Sequence, residues 1–199
     1  MLIVTRRTFV KLIAVGTIQL AVLRATSLLP LRSSTEIVRP PGAVEEDLFK
    51  LLCVRCGICT EVCPTKTIRL IDHKYGLEAV GTPGINPEFG PCEFYRGRCE
   101  ESTRCIQRCP TSALRAIHKE DVKLGTVMFT AEKCLAHLGK ECVVCYEMCP
   151  VTDAITLTPD VKPVFDDTKC VGCGSCVYSC PAEPIALILQ SKGALRTVV

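Results

Sequence analysis

The sequence contains no tryptophan, and phenylalanine and tyrosine together supply only ten of its 199 residues. Large aromatic side chains normally contribute much of a buried core, so a core made of protein side chains alone would be thin. The sequence also lacks a glycine-rich phosphate loop, a G-x-S-x-G motif and an H-E-x-x-H motif. These absences give no support to a nucleotide, flavin or organic substrate, and we expect the chain to have no substrate site of its own.

An excess of charge of one sign is also missing. The 24 basic and 21 acidic residues give a net charge of +3. Domains that bind nucleic acid are usually strongly basic, so we predict no nucleic-acid partner. Seven basic residues lie near the first half of the cysteines: Arg55, Lys66, Arg69, Arg96, Arg98, Arg104 and Arg108. Interspersed glutamates favour an ordinary solvated face there, with a docking surface for an acidic partner as the alternative.

Cysteine is abundant, with sixteen in the chain. Cys53 to Pro64 reads C-V-R-C-G-I-C-T-E-V-C-P, which spaces the cysteines C-x2-C-x2-C-x3-C and follows the last with proline. Such runs ligate 4Fe–4S clusters, because one short loop places three thiolates on a cubane and the fourth thiolate reaches a second cluster. The same pattern returns from Cys170 to Pro181. The sequence therefore predicts iron–sulfur chemistry, with metal bonds replacing part of the core.

The cysteines form four groups of four, each ending in Cys-Pro. Group one is Cys53, Cys56, Cys59 and Cys63; group two is Cys92, Cys99, Cys105 and Cys109; group three is Cys134, Cys142, Cys145 and Cys149; group four is Cys170, Cys173, Cys176 and Cys180. We predict that all sixteen ligate four 4Fe–4S clusters. Groups two and three have widened early gaps, which we interpret as inserted loops; an altered cluster or a structural zinc are the alternatives. Group two has no C-x2-C pair, which disfavours zinc there.

The pairing of the groups has two solutions, because each group gives its fourth cysteine to a partner group's cluster. Nested pairing joins one to four and two to three, whereas sequential pairing joins one to two and three to four. Nesting is our prediction, since it matches regular with regular spacing. It predicts clusters on Cys53, Cys56, Cys59 and Cys180; on Cys170, Cys173, Cys176 and Cys63; on Cys92, Cys99, Cys105 and Cys149; and on Cys134, Cys142, Cys145 and Cys109. The first module would then comprise residues 44–90 and 150–199, and the second residues 91–149.

Short elements surround these groups. Residues 44–52 predict a helix that leads into Cys53. Apolar stretches after each group predict strands at residues 67–71, 113–117, 154–157 and 185–189, with further strands at 75–82, 126–130 and 163–165. The predicted fold class is α+β: a ferredoxin-like arrangement of two pseudo-symmetric modules, each with two 4Fe–4S clusters, short β-hairpins and short helices.

The N-terminus has the layout of an export signal. Arg6 and Arg7 precede a 12-residue apolar stretch, Leu12 to Leu23, which is too short for a standard membrane span. The paired arginines resemble a twin-arginine signal, so we predict a signal or retained anchor at residues 1–27 and a linker at 28–43. A short buried helix is the alternative. The twin-arginine route carries folded, cofactor-loaded proteins, which would let an exported chain keep its cysteines for clusters instead of disulfides.

These features together resemble the NapG/MauM ferredoxin-type proteins. The resemblance rests on the paired arginines, Arg39 to Ala43, the four Cys-Pro groups and Cys142 to Pro150. It implies four 4Fe–4S clusters at the outer face of the cytoplasmic membrane or in the periplasm, with electrons passing between a membrane quinol-oxidising subunit and a periplasmic redox enzyme. Membrane association would come from that partner or from an uncleaved N-terminus. The chain departs from the family pattern in group two, where the Cys92–Cys99 and Cys99–Cys105 gaps are longer than expected.

Two other roles use the same chemistry. The chain could be the iron–sulfur subunit of a molybdopterin oxidoreductase, which would co-purify with a large catalytic subunit. It could instead be a maturation factor that delivers electrons to a periplasmic dehydrogenase during assembly, which would bind only transiently. In all three roles the chain is an electron-transfer subunit rather than a substrate-converting enzyme.

Overall fold

The fold is described from a computed structural model of the chain, over residues 37–99 and 104–197. These residues belong to one compact unit, Ser34 to Val199. The predicted signal at residues 1–27 and the first part of the predicted linker lie outside the described residues. Within the described ranges, no helix has both the length and the apolar character needed to cross a bilayer.

Residues 37–43 are packed into the core, so the prediction of a linker as far as residue 43 is wrong for this stretch. Ile37, Val38 and Ala43 are buried, and Ala43 forms an isolated antiparallel bridge with Leu114. The guanidinium of Arg39 is fully buried and binds both carboxylate oxygens of Glu46, at 2.6 and 3.0 Å. The prolines and glycine of this stretch therefore form a buried turn rather than a spacer.

Among the described residues, five short α-helices follow in order: α1 Glu46–Leu52, α2 Ile58–Glu61, α3 Arg104–Gln107, α4 Val144–Glu147 and α5 Ser175–Tyr178. The predicted helix at 44–52 is confirmed as α1, which buries Phe49 and carries acidic residues in its first turn. Helices α2 and α5 each start after a left-handed glycine, Gly57 at φ 74° and Gly174 at φ 78°. Glycine reaches this conformation without the Cβ clash of other residues, which lets the chain turn tightly between cysteines.

Six short strands form three antiparallel pairs in the described residues. The strands are β1 Ile68–Leu70, β2 Pro83–Ile85, β3 Thr126–Phe129, β4 Ile155–Leu157, β5 Pro163–Phe165 and β6 Leu187–Gln190. The pairs are β1 with β2, β3 with β6, and β4 with β5. Only β4–β5 joins strands over a short turn; β3 and β6 meet across most of the second half of the chain, with Val127 opposite Leu189. The α+β class and the short elements are thereby confirmed.

Two strand predictions are wrong. Residues 113–117 contain no strand beyond the bridge at Leu114, because their backbone joins Gly42 and Val44 instead of a sheet partner. Residues 75–82 contain a 3-10 turn at Leu77–Ala79, and the neighbouring strand is Pro83–Ile85. The apolar character of both stretches reflects burial of Ala79 and Leu114 rather than a ladder.

The cores divide the described chain into consecutive halves. One cluster of buried residues runs from Val38 to Leu124, and two others lie between Val127 and Leu187. Cysteines belong to all three clusters. The thiol groups thus occupy core positions that a larger protein would fill with aromatic or aliphatic side chains.

Candidate metal centres

The first set of thiols, here site A, combines three cysteines of group one with the last cysteine of group two. Cys53, Cys56, Cys59 and Cys109 line one cavity. Phe49 and Leu114 close its apolar wall, and the space between the side chains is ≈ 370 Å³, part of it open to solvent. Cys56 is the exposed member, and the only exposed one of the sixteen cysteines, all of which lie in the described ranges.

Site B is the converse set. Cys92, Cys99 and Cys105 of group two surround a cavity with Cys63 of group one. All four are buried, and Ile68 and Phe94 complete the wall. Cys92 and Cys99, whose spacing departs from the family pattern, therefore converge with the other two. Site B is the most enclosed of the four sets.

Sites C and D repeat this exchange in the second half of the chain. Site C brings Cys170, Cys173 and Cys176 of group four together with Cys149 of group three around one cavity. Site D brings Cys134, Cys142 and Cys145 of group three together with Cys180 of group four; the other three thiols lie close enough to that of Cys145 to raise its pKa. Every predicted ligand is thus found in a set of four.

The prediction of nested pairing is wrong, and with it the two modules drawn from it. Helix α2 packs against α3, and α4 packs against α5, so groups one and two share one half of the molecule and groups three and four the other. Each group pairs with its neighbour along the chain, whether or not the two groups have the same cysteine spacing. Consecutive stretches that meet soon after synthesis also have the smaller loop-closure cost.

Burial and mutual repulsion act on these thiols. Burial, assisted by the negative charge of neighbouring thiolates in the same site, raises the pKa of Cys59 to about 11, of Cys145 to about 11 and of Cys105 to about 12. The same two causes hold the pKa of Cys176 well above its usual range. Four thiolates in one buried space are unfavourable unless a cation compensates their charge, and iron is such a cation.

Backbone amides counteract the rise in pKa that burial causes at several cysteine thiols. Burial alone would raise the pKa of Cys109, but N–H groups of Leu114, Thr111 and Ala113 directed at its sulfur bring that pKa below its usual value. The amide two residues further along also lowers the pKa of Cys92 and of Cys173, but burial outweighs it and keeps both above the usual value. Amide hydrogen bonds to cysteine sulfur are one of the means by which proteins hold iron–sulfur clusters and set their potentials.

The donor set therefore fits a 4Fe–4S cubane. Sites A, B and C each offer four thiols around a mostly apolar space of similar size, ≈ 370, 330 and 350 Å³ with the part open to solvent included. Across residues 37–99 and 104–197, no three His, Cys, Asp or Glu side chains converge as a single metal ion would require.

The four sites follow one another in the order A, B, C, D. Cys59 of site A and Cys105 of site B interact electrostatically, as do Cys145 of site D and Cys176 of site C. Between the halves, the N–H of Cys92 in site B donates to the carbonyl oxygen of Cys173 in site C over 2.8 Å. Neighbouring sites are thus in contact through candidate ligand residues at each step.

Sequence analysis did not identify the roles of Arg39 and Glu93, and it assigned Arg96 to a solvated face, whereas Arg96 is partly buried. Arg39 donates to Thr82 Oγ1 and to the Pro83 carbonyl in addition to Glu46, and its guanidinium lies 4.7 Å from the Phe49 ring centroid. Glu93 and Arg96, in the long gap of group two, are placed against sites B and C. The sequence signals for these roles are weak: Arg39 is a charged residue before two prolines, and Glu93 and Arg96 are charged residues between two cysteines.

The histidines lie apart from the thiol sets. His73 and His118 are exposed, as expected of surface residues. His137, in the gap between Cys134 and Cys142, packs its ring 5.3 Å from that of Phe129. Site D is already supplied with four cysteines, so His137 is not needed there.

Comparison with known proteins agrees with this geometry. Residues 52–113 match a family model described as a 4Fe–4S dicluster domain, and residues 162–187 match a 4Fe–4S binding domain. The first match contains groups one and two together, as sequential pairing requires. It ends before group three.

Curated relatives cover most of the chain. The ferredoxin-type protein NapG of Escherichia coli is 36% identical over 182 residues, which is 82% of this chain and 76% of that protein. The methylamine utilization ferredoxin-type protein MauM of Methylorubrum extorquens is 37% identical over 182 residues, 84% of this chain and 79% of that protein. MauM of Methylobacillus flagellatus is 34% identical over 76% of this chain and 67% of its own. The resemblance drawn from the sequence is confirmed: the chain belongs to the NapG/MauM family of ferredoxin-type iron–sulfur proteins.

Proposed function

We propose that the chain carries four 4Fe–4S clusters, one at each of sites A to D, and passes single electrons along that row. The observation that carries the proposal is the sorting of all sixteen cysteines into four sets of four, with none left over. Each cluster would accept and release one electron without exchanging atoms with a substrate. The protein would act as an electron carrier rather than a substrate-converting enzyme.

The residues around the sites would bind, insulate and tune the clusters. Each Cys-Pro pair places its sulfur in the neighbouring site, so Cys63 and Cys109 tie A to B while Cys149 and Cys180 tie C to D. Apolar walls exclude water, and amide groups directed at the sulfurs favour the more negative, reduced state. Exposure of Cys56 makes site A the end of the row from which electrons are most readily exchanged with another protein.

The proposed setting is outside the cytoplasmic membrane. The chain would receive electrons from a membrane quinol-oxidising subunit and deliver them to a periplasmic oxidoreductase. Support comes from the twin-arginine-like residues 5–11 and from membership of the NapG/MauM family. Association with the membrane would come through the partner subunit or the N-terminal segment.

Two experiments test the carrier and its setting separately. An anaerobic reductive titration of the purified chain should take up about four electrons, one per cluster; uptake of two or fewer would contradict a four-cluster carrier. Replacing Arg6 and Arg7 together with lysine should retain the chain in the cytoplasm with its clusters loaded. Unchanged export of that variant would contradict the twin-arginine route and leave the carrier proposal standing.

A further inference from the structure

The long gap between Cys92 and Cys99 places two charges of opposite sign on either side of the junction between sites B and C. The gap reads C-E-F-Y-R-G-R-C, and its residues Glu93 and Arg96 are three positions apart. Glu93 lies in the wall of site B. Arg96 reaches across to the second half of the molecule, where its Nη2 donates to the carbonyl oxygen of Met148, the residue before Cys149.

The carboxylate of Glu93 is held in a dry environment. Its side chain is 5% exposed, and its Oε2 lies 3.5 Å from the Nε of Arg98 without a hydrogen-bond partner among the described residues. Two cations lie near this carboxylate: Arg98, which is 69% exposed, and Arg104, which lines the same wall and is also exposed. Water therefore screens much of both positive charges. A negative charge inside the wall of site B disfavours addition of an electron there.

Arg96 has the opposite effect on site C. Its Nε is buried and has no hydrogen-bond partner in the described part of the chain, so the guanidinium is poorly solvated on that side. Its contact with the Met148 carbonyl oxygen places this positive charge beside Cys149 of site C. A positive charge there favours the more negative, reduced state of a cluster bound at site C.

Burial and hydrogen bonding around the two sites also make site B harder to reduce than site C, as the two charges do. All four cysteines of site B are buried, whereas Cys149 and Cys170 of site C are partly exposed, and burial disfavours added negative charge. The Thr65 hydroxyl near Cys63 is committed to the carbonyl of Pro91 at 2.8 Å. The Ser175 hydroxyl, 3.5 Å from Cys173 Sγ, is placed to donate to that sulfur as a thiolate.

We propose that Glu93 and Arg96 set a step in reduction potential between sites B and C, so that an electron moves from the first half of the chain to the second. The inference rests on the proposed function. The transfer would oxidise the cluster held at site B by one electron and reduce the cluster held at site C by one electron, with no proton or other atom exchanged. Cys92 and Cys173, joined by their backbone hydrogen bond, provide the contact across which it occurs. Electrons would then enter at site A and leave at site D.

The test is a set of midpoint potentials measured by EPR-monitored redox titration of the intact, anaerobically purified chain. Glu93→Gln should raise the potential of one cluster, Arg96→Gln should lower that of a different cluster, and each should narrow the gap between the two. We expect at least a tenfold change in the transfer equilibrium for each variant, which is 59 mV for one electron. Arg96→Lys should keep most of the wild-type gap. Arg69→Gln removes the same charge from an exposed position on β1 and should shift neither potential.

Several results would overturn the inference. Potentials that move no more in Glu93→Gln and Arg96→Gln than in Arg69→Gln would do so, as would shifts of one and the same cluster by both variants. If Arg96→Gln fails to assemble, Arg96→Lys and Glu93→Gln still measure the gap. A full complement of iron and sulfide with an unchanged gap overturns the inference alone, whereas a wild-type chain without clusters overturns the proposed function and the inference together.

Discussion

The backbone N–H of Cys92 donates a hydrogen bond to the carbonyl oxygen of Cys173, with 2.8 Å between nitrogen and oxygen. Cys92 belongs to site B and Cys173 to site C, so this bond joins the two halves of the molecule at the point where their thiol sets are nearest neighbours in the row. The halves are otherwise built from consecutive stretches of chain. The four sites form a continuous row because this contact joins B to C, while the cysteines of the Cys-Pro pairs link A with B and C with D.

Double substitutions should reveal the sequential pairing. Cys53→Ala with Cys109→Ala removes two ligands of site A and should cost about four irons, because only one cubane is affected. Cys53→Ala with Cys180→Ala removes ligands from sites A and D and should cost about eight irons. Iron and sulfide analysis of both variants provides the measurement. Nested pairing requires the reverse result, with the larger loss in the first variant.

Arg39 should be required for stability although it contacts no thiol site. Replacing it with alanine leaves Glu46 without its buried partner and removes donors to Thr82 and Pro83. Loss of one partner of a buried pair costs about 3–5 kcal/mol, or roughly 6–20 °C in melting temperature for a chain of this size. The measurement is thermal unfolding of the cluster-loaded protein.

The matched control for Arg39 is Lys74→Ala. The pair of Lys74 with Asp72 spans 3.7 Å between exposed side chains, and such pairs contribute under about 1 kcal/mol. Equal melting temperatures for the two variants would show that the buried ion pair of Arg39 is not what fixes the stretch from Ile37 to Ala43.

Gly172, between the first two cysteines of group four, should not tolerate a side chain. A Cβ there would lie 2.6 Å from the backbone nitrogen of Gly125. Gly139 has a similar conformation, φ +83° against +72°, but a Cβ there would meet nothing within 4 Å. Both alanine variants carry the left-handed cost of about 1–2 kcal/mol, so the difference isolates the contact. We expect Gly172→Ala to melt well below Gly139→Ala and to lose iron; equal stability would rule out the close approach.

Removal of iron should unfold much of the chain. Cysteines occupy all three core clusters, and without metal the cores lose the sulfur–metal bonds that hold these side chains together. Chelation under reducing, anaerobic conditions should abolish cooperative thermal unfolding as measured by circular dichroism. An iron-free chain that keeps a sharp transition would mean that the protein core alone specifies the fold.

The sequence predicted which cysteines form the sites better than it predicted which groups pair with one another. Each Cys-Pro group indicated four candidate ligands because the spacing of a cubane loop is local. The pairing depended on which loops meet in space, and the similarity of spacing between groups one and four carried no information about that. Residues such as Arg39 were equally hidden, since a buried ion pair joins positions whose sequence shows only an arginine before two prolines. Residues 113–117 were mistaken for a strand because apolar, β-branched runs also occur where a loop is buried.

The most direct test of the central claim is the content of iron and acid-labile sulfide per chain, measured on anaerobically prepared protein together with EPR after reduction. Four sites of four thiols predict about sixteen iron and about sixteen sulfide, four of each per cubane, with spin-coupled signals from neighbouring reduced clusters. About twelve of each would mean that one site, with site B and its widened spacing the first to examine, does not hold a cubane. Zinc with little iron would contradict the account altogether.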